Sequence, residues 1–266
     1  MKNTQIISVI NQKGGVGKTT TVINLATALT FHEKKILVVD LDPQGNATTG
    51  FGLSNSQEEK TVYDVLNGNC NFEEAIKDTK INNLKIVSSN VDLSGLEVET
   101  ASEIRRAFLL KDKMQEFLVS NKNDFSYIFV DCPPSLSLLT VMALVVAKSL
   151  IVPLQAEFFA LEGLSQLMKT IDRIKIKLNP ELDIRGVLLT MFDKRNKLSS
   201  QVDFEAREFF KNKVYQTVIP RNVRLSEAPS HGTPVLIYDK SCSGSRSYLN
   251  FTEEFLKQEN VMESAA

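Results

Sequence analysis

Short apolar runs alternate along this chain with longer segments of helical periodicity, and no other feature constrains its fold as strongly. A strand, a crossover helix and a second strand form the repeating unit of a parallel sheet that carries helices on its faces. The candidate strands are QIISVIN, KILVVD, LKIVSS, YIFVDC, SLIVPL, RGVLLTMF and YQTVIP. The helical patterns cover residues 18–31, 103–119, 137–147, 160–178, 199–211 and 247–258.

We therefore expect a single α/β domain over residues 1–266, with a mostly parallel, twisted sheet of about seven to eight strands and helices on both faces. Its 266 residues, 42% of them hydrophobic, are enough to bury one large core. No Gly/Ser/Pro-rich linker divides the chain. Residues 43–80 are the least regular part and are expected to hold a loop and short helices.

Charge and cysteine usage exclude several classes of protein. With 31 basic and 32 acidic residues, the chain has no overall field that would draw it to nucleic acid or membrane, so such a partner needs a local patch. Cys70, Cys132 and Cys242 are far apart and form no C-x-x-C pair, which argues against a disulfide framework or zinc site and fits a reducing cytoplasm. The N-terminal apolar run is too short for a signal peptide.

The segment NQKGGVGKTTT, residues 11–21, has the form of a phosphate-binding loop and stands between a predicted strand and a predicted helix, as such a loop requires. Gly14, Gly15 and Gly17 allow backbone N–H groups to point at phosphate oxygens, next to the positive end of the helix. The alternative is a glycine-rich turn without a ligand.

The residues around these glycines favour the ligand. Lys18 can neutralise charge on the β- and γ-phosphates, and Thr19 can ligate Mg²⁺, whereas a turn without a ligand has no need of Lys-Thr at this offset. The beginning of the loop is unusual. The pattern G-x-x-x-x-G-K-[ST] would place glycine at position 12, where the chain has Gln12 followed by Lys13.

Aspartates follow two of the predicted buried strands. Asp40 and Asp42 end the segment KILVVDLD, and Asp131 ends YIFVD. Carboxylates at the carboxyl ends of parallel strands lie where such sheets bind ligands, and near Mg²⁺ they can hold the metal shell or orient the attacking water. For Asp42 a helix N-cap or an Asx turn before Pro43 is the alternative. Cys132 is interpreted as a small residue packed behind Asp131 rather than a nucleophile.

Four motifs together resemble the ParA/MinD family of ATPases with an altered phosphate loop, and specifically its small chromosomal, Soj-like branch. They are KGGVGKTT, VVDLDPQGNAT, VDCPPS and IPRNVRLSEAPSHGTPV, and they span most of the chain, from Lys13 to Val235. The resemblance implies a P-loop NTPase domain without a separate N-terminal DNA-reading domain. It also implies ATP or ADP and Mg²⁺ as ligands.

The resemblance also assigns roles to residues. Lys13 would reach across a homodimer that sandwiches two ATP molecules and would stabilise charge on the partner's phosphates. For most lysines a surface position is the default alternative. Asp42 would position the attacking water, and Lys13, Lys18 and Asp42 would form the catalytic set. The remaining assignments are Gly14, Gly15, Val16, Gly17, Lys18, Thr19 and Thr20 to the phosphates, Thr19, Asp40 and Asp131 to the metal shell, and Pro220 and Asn222 to the adenine.

A basic stretch suggests nonspecific binding to double-stranded DNA. Between Lys169 and Arg224 the chain has 13 basic residues against 7 acidic ones, although its overall net charge is −1. Such a face can neutralise several phosphates and give salt-sensitive binding. The resemblance implies that Arg195 and Arg224 contact DNA. A merely solvated face is the alternative, because no helix-turn-helix pattern or aromatic interleaving supports the arginines.

The expected function is an ATP-dependent dimerising switch with weak ATPase activity that acts in chromosome or plasmid partitioning with a ParB-like activator, in the cytoplasm on the nucleoid. One alternative is a MinD-like membrane-associated ATPase. We expect no membrane contact, because residues 247–266 contain four glutamates and one lysine, and Phe251, Phe255 and Leu256 are expected to pack onto the domain. A metabolic P-loop synthetase is the other alternative.

Overall fold

The computed structural model describes residues 4–54, 59–120, 125–157 and 160–265, and within these it contains one seven-stranded sheet surrounded by helices. The strands are β1 Gln5–Val9, β2 Ile36–Asp40, β3 Ile76–Asp78, β4 Leu84–Val87, β5 Tyr127–Asp131, β6 Ser149–Gln155 and β7 Asp183–Thr190. The helices are α1 Lys18–Thr30, α2 Asn46–Gly50, α3 Val62–Leu66, α4 Phe72–Ala75, α5 Leu96–Glu99, α6 Leu109–Ser120, α7 Leu138–Val146, α8 Ala160–Lys177, α9 Lys197–Phe210, α10 Val223–Glu227, α11 Val235–Tyr238 and α12 Ser243–Ala265.

The strand order β3-β4-β2-β5-β1-β6-β7 places β1 near the middle of the sheet, between β5 and β6. All neighbouring strands are parallel except β3, which runs antiparallel to β4. The register pairs Asp131 with Val9 on one side and with Asp40 on the other. The carboxyl ends of β1, β2 and β5 therefore meet at one edge of the sheet, where ligands bind in folds of this kind.

Two apolar cores, one on each face of the sheet, hold the helices in place. Because successive strand residues point to opposite faces, Ile6 and Ile10 pack with α6, α7, α8 and α9, whereas Ile7 and Val9 pack with α1 and α12. Most of α1 is buried, since it lies against the sheet and is covered by α12. This confirms the prediction of an α/β domain with a mostly parallel sheet and helices on both faces.

The predicted strand YQTVIP is wrong, because residues 215–220 form no named strand. The segment instead runs beside β7, and the Tyr215 and Ile219 N–H groups donate to the Val187 and Leu189 carbonyls at 3.0 and 2.8 Å. Isolated bridges lie at its two ends, from Val214 to Val187 and from Pro220 to Phe192, which follows β7. The seventh strand is β3, which the sequence analysis missed because it has three residues, all partly or fully exposed. Such a strand has no apolar alternation to detect. The other six predicted strands and the six predicted helices are present with shifted boundaries.

Candidate functional site

The loop between β1 and α1 has a backbone that depends on glycine. Gly15 and Gly17 have φ angles of +76° and +88°, in the left-handed region that side chains with a Cβ rarely adopt. Gly17 is also the N-cap of α1, and no side chain caps that end of the helix. The first N–H groups of α1 therefore remain available to an anion, as a phosphate site requires.

A cavity of about 560 Å³ lies over this loop. Its lining includes most of the predicted phosphate-loop residues, a wall that holds Asp42 and residues of α2, and a second wall, called the far wall, that holds Pro220, Asn222, Pro229 and Ser230. The structure thus brings together residues that are far apart in sequence. The predicted residues that line the cavity are Gly14, Gly15, Gly17, Lys18, Thr19, Thr20, Asp42, Pro220 and Asn222. Val16 lies behind the loop, buried, with its carbonyl accepting a hydrogen bond from the Thr190 hydroxyl at 2.8 Å.

Lys18 is nearly buried at the centre of the loop. Its ammonium donates a hydrogen bond to the Lys13 carbonyl oxygen at 3.1 Å. Burial lowers the pKa of Lys18, and the nearby charges of Asp131 and Asp42 work in the opposite direction. A cation held here and only partly compensated is well suited to attract the negative charge of a nucleotide polyphosphate.

Lys13 directs its ammonium away from the cavity and forms an ion pair with Glu157 of the same chain, just beyond β6. Its backbone N–H donates to the Asn11 side chain at 3.0 Å. Both side chains of the ion pair are partly exposed, 46% for Lys13 and 32% for Glu157, so the pair is open to exchange. Reaching a second subunit would require Lys13 to leave Glu157, a residue that the sequence analysis did not single out.

Asp131 and Asp40 are buried side by side at the strand ends. Burial raises the pKa of Asp131 well above its usual range, with the Asp40 charge adding to it, and burial raises the pKa of Asp40 to about 6. Among the described residues no group donates a hydrogen bond of normal geometry to either Asp131 oxygen. The Thr19 hydroxyl is nevertheless close enough to offset part of the rise in its pKa.

Asp40 has a different environment from Asp131. One of its oxygens accepts a hydrogen bond from the Asp42 N–H at 3.2 Å, and the other accepts from the Thr48 N–H and hydroxyl at 2.8 and 2.7 Å. Its carboxylate therefore holds the loop from β2 to α2 in shape. Any contribution to a metal shell would pass through Asp131, which pairs with it across the sheet.

Asp42 forms the Asx turn that its sequence context allowed, and it also lines the cavity. One oxygen accepts the Gln44 N–H at 3.0 Å, which is the Asx turn, and the residue lines the same cavity as the phosphate loop. The turn uses one carboxylate oxygen and leaves the second for another contact. Asp42 is thus placed where a carboxylate can hold a water near a bound phosphate.

The residues around Thr19 and Asp131 fit a magnesium ion that is shared with a nucleotide. Within the described part of the chain, no group of three or more His, Cys, Asp or Glu side chains forms a metal site by itself. Mg²⁺ commonly takes one or two protein oxygens and completes its shell with phosphate oxygens and water. The Thr19 hydroxyl and the Asp131 carboxylate beside it could supply these protein oxygens.

Asn222 is held firmly at the far wall of the cavity. Its side-chain oxygen caps α10 by accepting the Arg224 N–H at 2.8 Å, and its amide nitrogen donates to the Ser243 hydroxyl at 2.7 Å. Its polar side chain is thus already used by the protein. With Pro220 and Leu225 it offers a mainly apolar surface, which suits the face of a purine ring.

The two arginines predicted to contact DNA are exposed and paired with carboxylates. Arg195 forms a two-point contact with Asp193 at 3.1 and 2.9 Å, which holds the pKa of Asp193 down at about 2. Arg224 donates to Glu227 at 2.7 Å. Arg221, which the sequence analysis did not select, lines a smaller surface cavity together with Arg195. Its position directly after Pro220 in the IPRN motif was the available signal.

The C-terminal helix packs as the sequence predicts. Phe251 and Phe255 of α12 are fully buried in the core on the α1 face, and Leu256 packs against it. The Tyr248 hydroxyl lies 3.2 Å from the Thr21 hydroxyl of α1. Among the described residues, no helix is both long enough and apolar enough to cross a membrane. Cys132 is buried beside Asp131, as interpreted from the sequence.

Comparison with known proteins shows the family of this chain. A family model described as an AAA domain matches residues 4–184. The chromosome partitioning protein ParA of Caulobacter vibrioides is 48% identical over 98% of this chain and 97% of its own length. The sporulation initiation inhibitor protein Soj of Bacillus subtilis is 47% identical over 94% of this chain and 97% of its own.

Solved structures share the fold across nearly the whole chain. Cobyrinic acid a,c-diamide synthase from Mycobacterium smegmatis, with an ATP analog and magnesium bound, has a TM-score of 0.83 at 32% identity and covers 96% of this chain and 95% of its own. The septum site-determining protein MinD from Pyrococcus horikoshii, complexed with Mg-ADP, has a TM-score of 0.76 at 25% identity and covers 97% and 98%. The chain belongs to the ParA and Soj family of P-loop ATPases.

Proposed function

We propose that this protein is a Mg²⁺-dependent ATPase that works as a dimerising switch in DNA partitioning. One observation carries the proposal: a single cavity gathers the phosphate loop, Asp42 and the IPRN segment on three sides of a space large enough for a nucleotide. The similarity to partitioning proteins at 47–48% identity over nearly the full length supports the biological setting.

The chain's own residues divide the chemistry. The loop amides and Lys18 bind and orient the polyphosphate, Thr19 and Asp131 hold Mg²⁺, and Asp42 positions the attacking water. Bound Mg²⁺ supplies neutralisation of the phosphate charge. Lys13 exchanges Glu157 for phosphate oxygens of the partner's nucleotide and stabilises the charge that develops there.

The remaining parts of the proposal concern partners and place. Residues 1–266 act as one domain, and two copies sandwich two ATP molecules. This dimer binds nonspecific double-stranded DNA through a basic face that includes Arg195 and Arg224, which locates the protein in the cytoplasm on the nucleoid. A ParB-like activator accelerates hydrolysis and releases the dimer from DNA.

Asp42→Ala is the direct test of the switch. The variant should bind ATP and form a dimer, because Lys18, Thr19 and Asp131 remain, but its hydrolysis should fall by about 100-fold or more when the water loses its orienting carboxylate. Asp78→Ala is the matched control, since Asp78 is an exposed aspartate paired with Lys85 and does not line the cavity. Phosphate release and size-exclusion chromatography with ATP measure both properties.

Binding and turnover assays on the unaltered protein distinguish the proposed function from the two alternatives, a MinD-like ATPase and a synthetase. Binding to nonspecific DNA and to anionic liposomes is compared with ATP, with ADP and without nucleotide. ATP-dependent binding to liposomes but not to DNA would favour a MinD-like protein. Full ATPase activity in Asp42→Ala would contradict the role of Asp42, and ATP turnover that depends on an added carboxylic acid and amide donor would favour a synthetase.

A further inference from the structure

Two walls of the cavity touch each other at a pair of glycines. Gly52, just beyond α2, and Gly232, at the end of the turn Ala228–His231, both have left-handed backbones, with φ of +78° and +59°. A Cβ atom on Gly232 would lie 2.6 Å from the Gly52 Cα, and one on Gly52 would lie 2.8 Å from the Gly232 carbonyl oxygen. Both clashes are with backbone, so no side-chain rotation could relieve them.

A chain of hydrogen bonds connects Gly52 to Asp42. The Asp42 carbonyl accepts the Gly45 N–H at 2.8 Å, and the Gly45 carbonyl accepts the Thr49 N–H at 2.9 Å. The Thr49 carbonyl then accepts the Gly52 N–H at 2.9 Å. Asp40 also holds Thr48 through two contacts, so hydrogen bonds connect the segment from Asp42 to Gly52 along its length.

The turn that carries Gly232 forms part of the far wall. Pro229 and Ser230 line the cavity, and the Pro229 carbonyl accepts the Gly232 N–H at 2.9 Å. Beyond the turn, the Val235 N–H donates to the buried Asn24 side chain of α1 at 3.0 Å. This hydrogen bond holds the turn to α1, the helix that starts at the phosphate loop. The end of α2 therefore packs against a turn that is itself anchored to α1.

We propose that Gly52 and Gly232 are positioning residues whose backbone contact sets the place of Asp42 relative to the nucleotide. The inference rests on the proposed ATPase function. Contact of a nucleotide with Pro229 and Ser230 presses the turn against Gly52 and orders the segment that carries Asp42. Hydrolysis therefore depends on contact of the nucleotide with Pro229 and Ser230, and phosphates bound in the loop are not sufficient for it.

Gly232→Ala tests the contact, with Gly68→Ala as the matched control. Gly68 also has a left-handed backbone, with φ of +80°, but an added Cβ there would meet no atom within 4 Å. Both variants carry the backbone cost of alanine at positive φ, and Gly232→Ala alone must push α2 aside. We expect its hydrolysis at saturating ATP to fall by roughly 100-fold relative to Gly68→Ala, since a displacement of about 1 Å has such an effect.

Amide hydrogen exchange of residues 45–53 gives a second measurement that does not depend on hydrolysis. Adding ADP should protect these amides in the unaltered chain and in Gly68→Ala but not in Gly232→Ala. Inorganic pyrophosphate, which fills the phosphate loop and leaves the far wall empty, should protect them much less. Gly52→Ala, whose clash with the Gly232 oxygen at 2.8 Å is milder, replaces Gly232→Ala if that variant does not fold.

Two results would overturn the inference. The first is equal hydrolysis in Gly232→Ala and Gly68→Ala, and the second is equal protection of residues 45–53 by ADP in both. Failure of the unaltered chain to hydrolyse ATP would count against the proposed function instead. In that case the exchange measurement with ADP still decides whether the two glycines connect the walls.

Discussion

At the scale of single residues, Lys13 makes one contact with its backbone and another with its side chain, so a substitution can separate the two. Its carbonyl accepts the Lys18 ammonium, whereas its own ammonium pairs with Glu157. Replacing Lys13 by alanine removes the second contact and keeps the first. Lys13→Ala should therefore bind ATP with nearly normal affinity in calorimetry, while hydrolysis and stable dimerisation fail.

Mixing variants shows whether Lys13 acts across the dimer. The affinity of Lys18→Ala for ATP should be about 100-fold lower, because the variant lacks a charge-assisted contact that contributes roughly 3 kcal/mol. In a mixed dimer its intact Lys13 faces the nucleotide held by the Lys13→Ala subunit, so activity should be partly restored. No recovery, with mixed dimers demonstrably present, would rule out a lysine supplied by the partner.

The buried aspartates predict a pH dependence with a defined sign. Burial raises the pKa of Asp131 well above its usual range and that of Asp40 to about 6, so the folded chain binds their protons more tightly than the unfolded chain does. Their contribution to stability is complete below about pH 4 and is lost as the pH rises through about 6 and beyond.

Asp131→Asn tests this sign, because the amide stays uncharged at every pH. The variant should raise the Tm of the nucleotide-free protein at pH 8, by about 2–4 °C for each kcal/mol gained, and raise it clearly less at pH 5. Thermal unfolding at both values measures the effect, with the exposed Asp78→Asn as the control. An equal change in Tm at both pH values would contradict it. Stabilisation by Mg²⁺ and ATP should be smaller in the variant.

At the scale of structural elements, the segments that follow β7 carry the expected DNA contacts. Removing an arginine there should weaken DNA binding, and neutralising the carboxylate paired with it should strengthen DNA binding. Arg195→Ala should weaken binding to all DNA sequences by a similar factor and lower the salt slope by about one unit or less. Asp193→Asn should strengthen binding, because it frees Arg195 from its two-point contact. Arg224→Ala should behave like Arg195→Ala.

Arg105→Ala is the matched control for this series. Arg105 is also exposed and also paired with an aspartate, Asp112, but it lies outside the basic stretch. A fluorescence titration across several salt concentrations measures all four variants with ATP present. If Arg195→Ala binds like the unaltered protein while Asp193→Asn changes nothing, the basic stretch is solvated surface.

Elements with strong periodicity were predictable from the sequence, and elements fixed by tertiary contacts were not. The buried strands β2 and β5 are apolar runs that end in an aspartate, and β1 is an apolar run that leads into the phosphate loop, so the pattern is local in each case. Residues 215–220 have the same composition as a strand, yet they form no named strand beside β7. Their conformation depends on how they pack beside β7, and a local sequence pattern does not predict such packing.

The whole molecule depends on how α12 closes the core, and Phe255 is the residue at the centre of that contact. It is fully buried, packs edge-on against Tyr127 and lies 3.8 Å below the Arg185 guanidinium. Phe255→Ala should destabilise the fold by about 3–5 kcal/mol. Urea unfolding measures this, with the exposed Ile176→Ala as a control that should change stability by less than about 0.5 kcal/mol. Comparable losses in both variants would contradict it.

The candidate site could be predicted in its parts but not in its assembly. The phosphate loop and the aspartates have sequence signatures, because their chemistry needs particular residues at fixed spacing. The ion pair of Lys13 with Glu157 and the contact of Gly52 with Gly232 join residues that are more than 100 positions apart. Such pairs arise from the packing of the whole chain, and a single sequence without its relatives does not reveal them.

Both lateral margins of the sheet are closed to further strands. On one side the sheet ends in β3, a strand of three residues that includes Lys77 and Asp78. On the other side, the bridges at Val214 and Pro220 cover β7. Because short, charged or covered edges resist pairing with other chains, this protein should stay free of fibrous aggregates at high concentration. In the proposed setting on a chromosome, crowding would then not by itself polymerise the protein through the edges of its sheet.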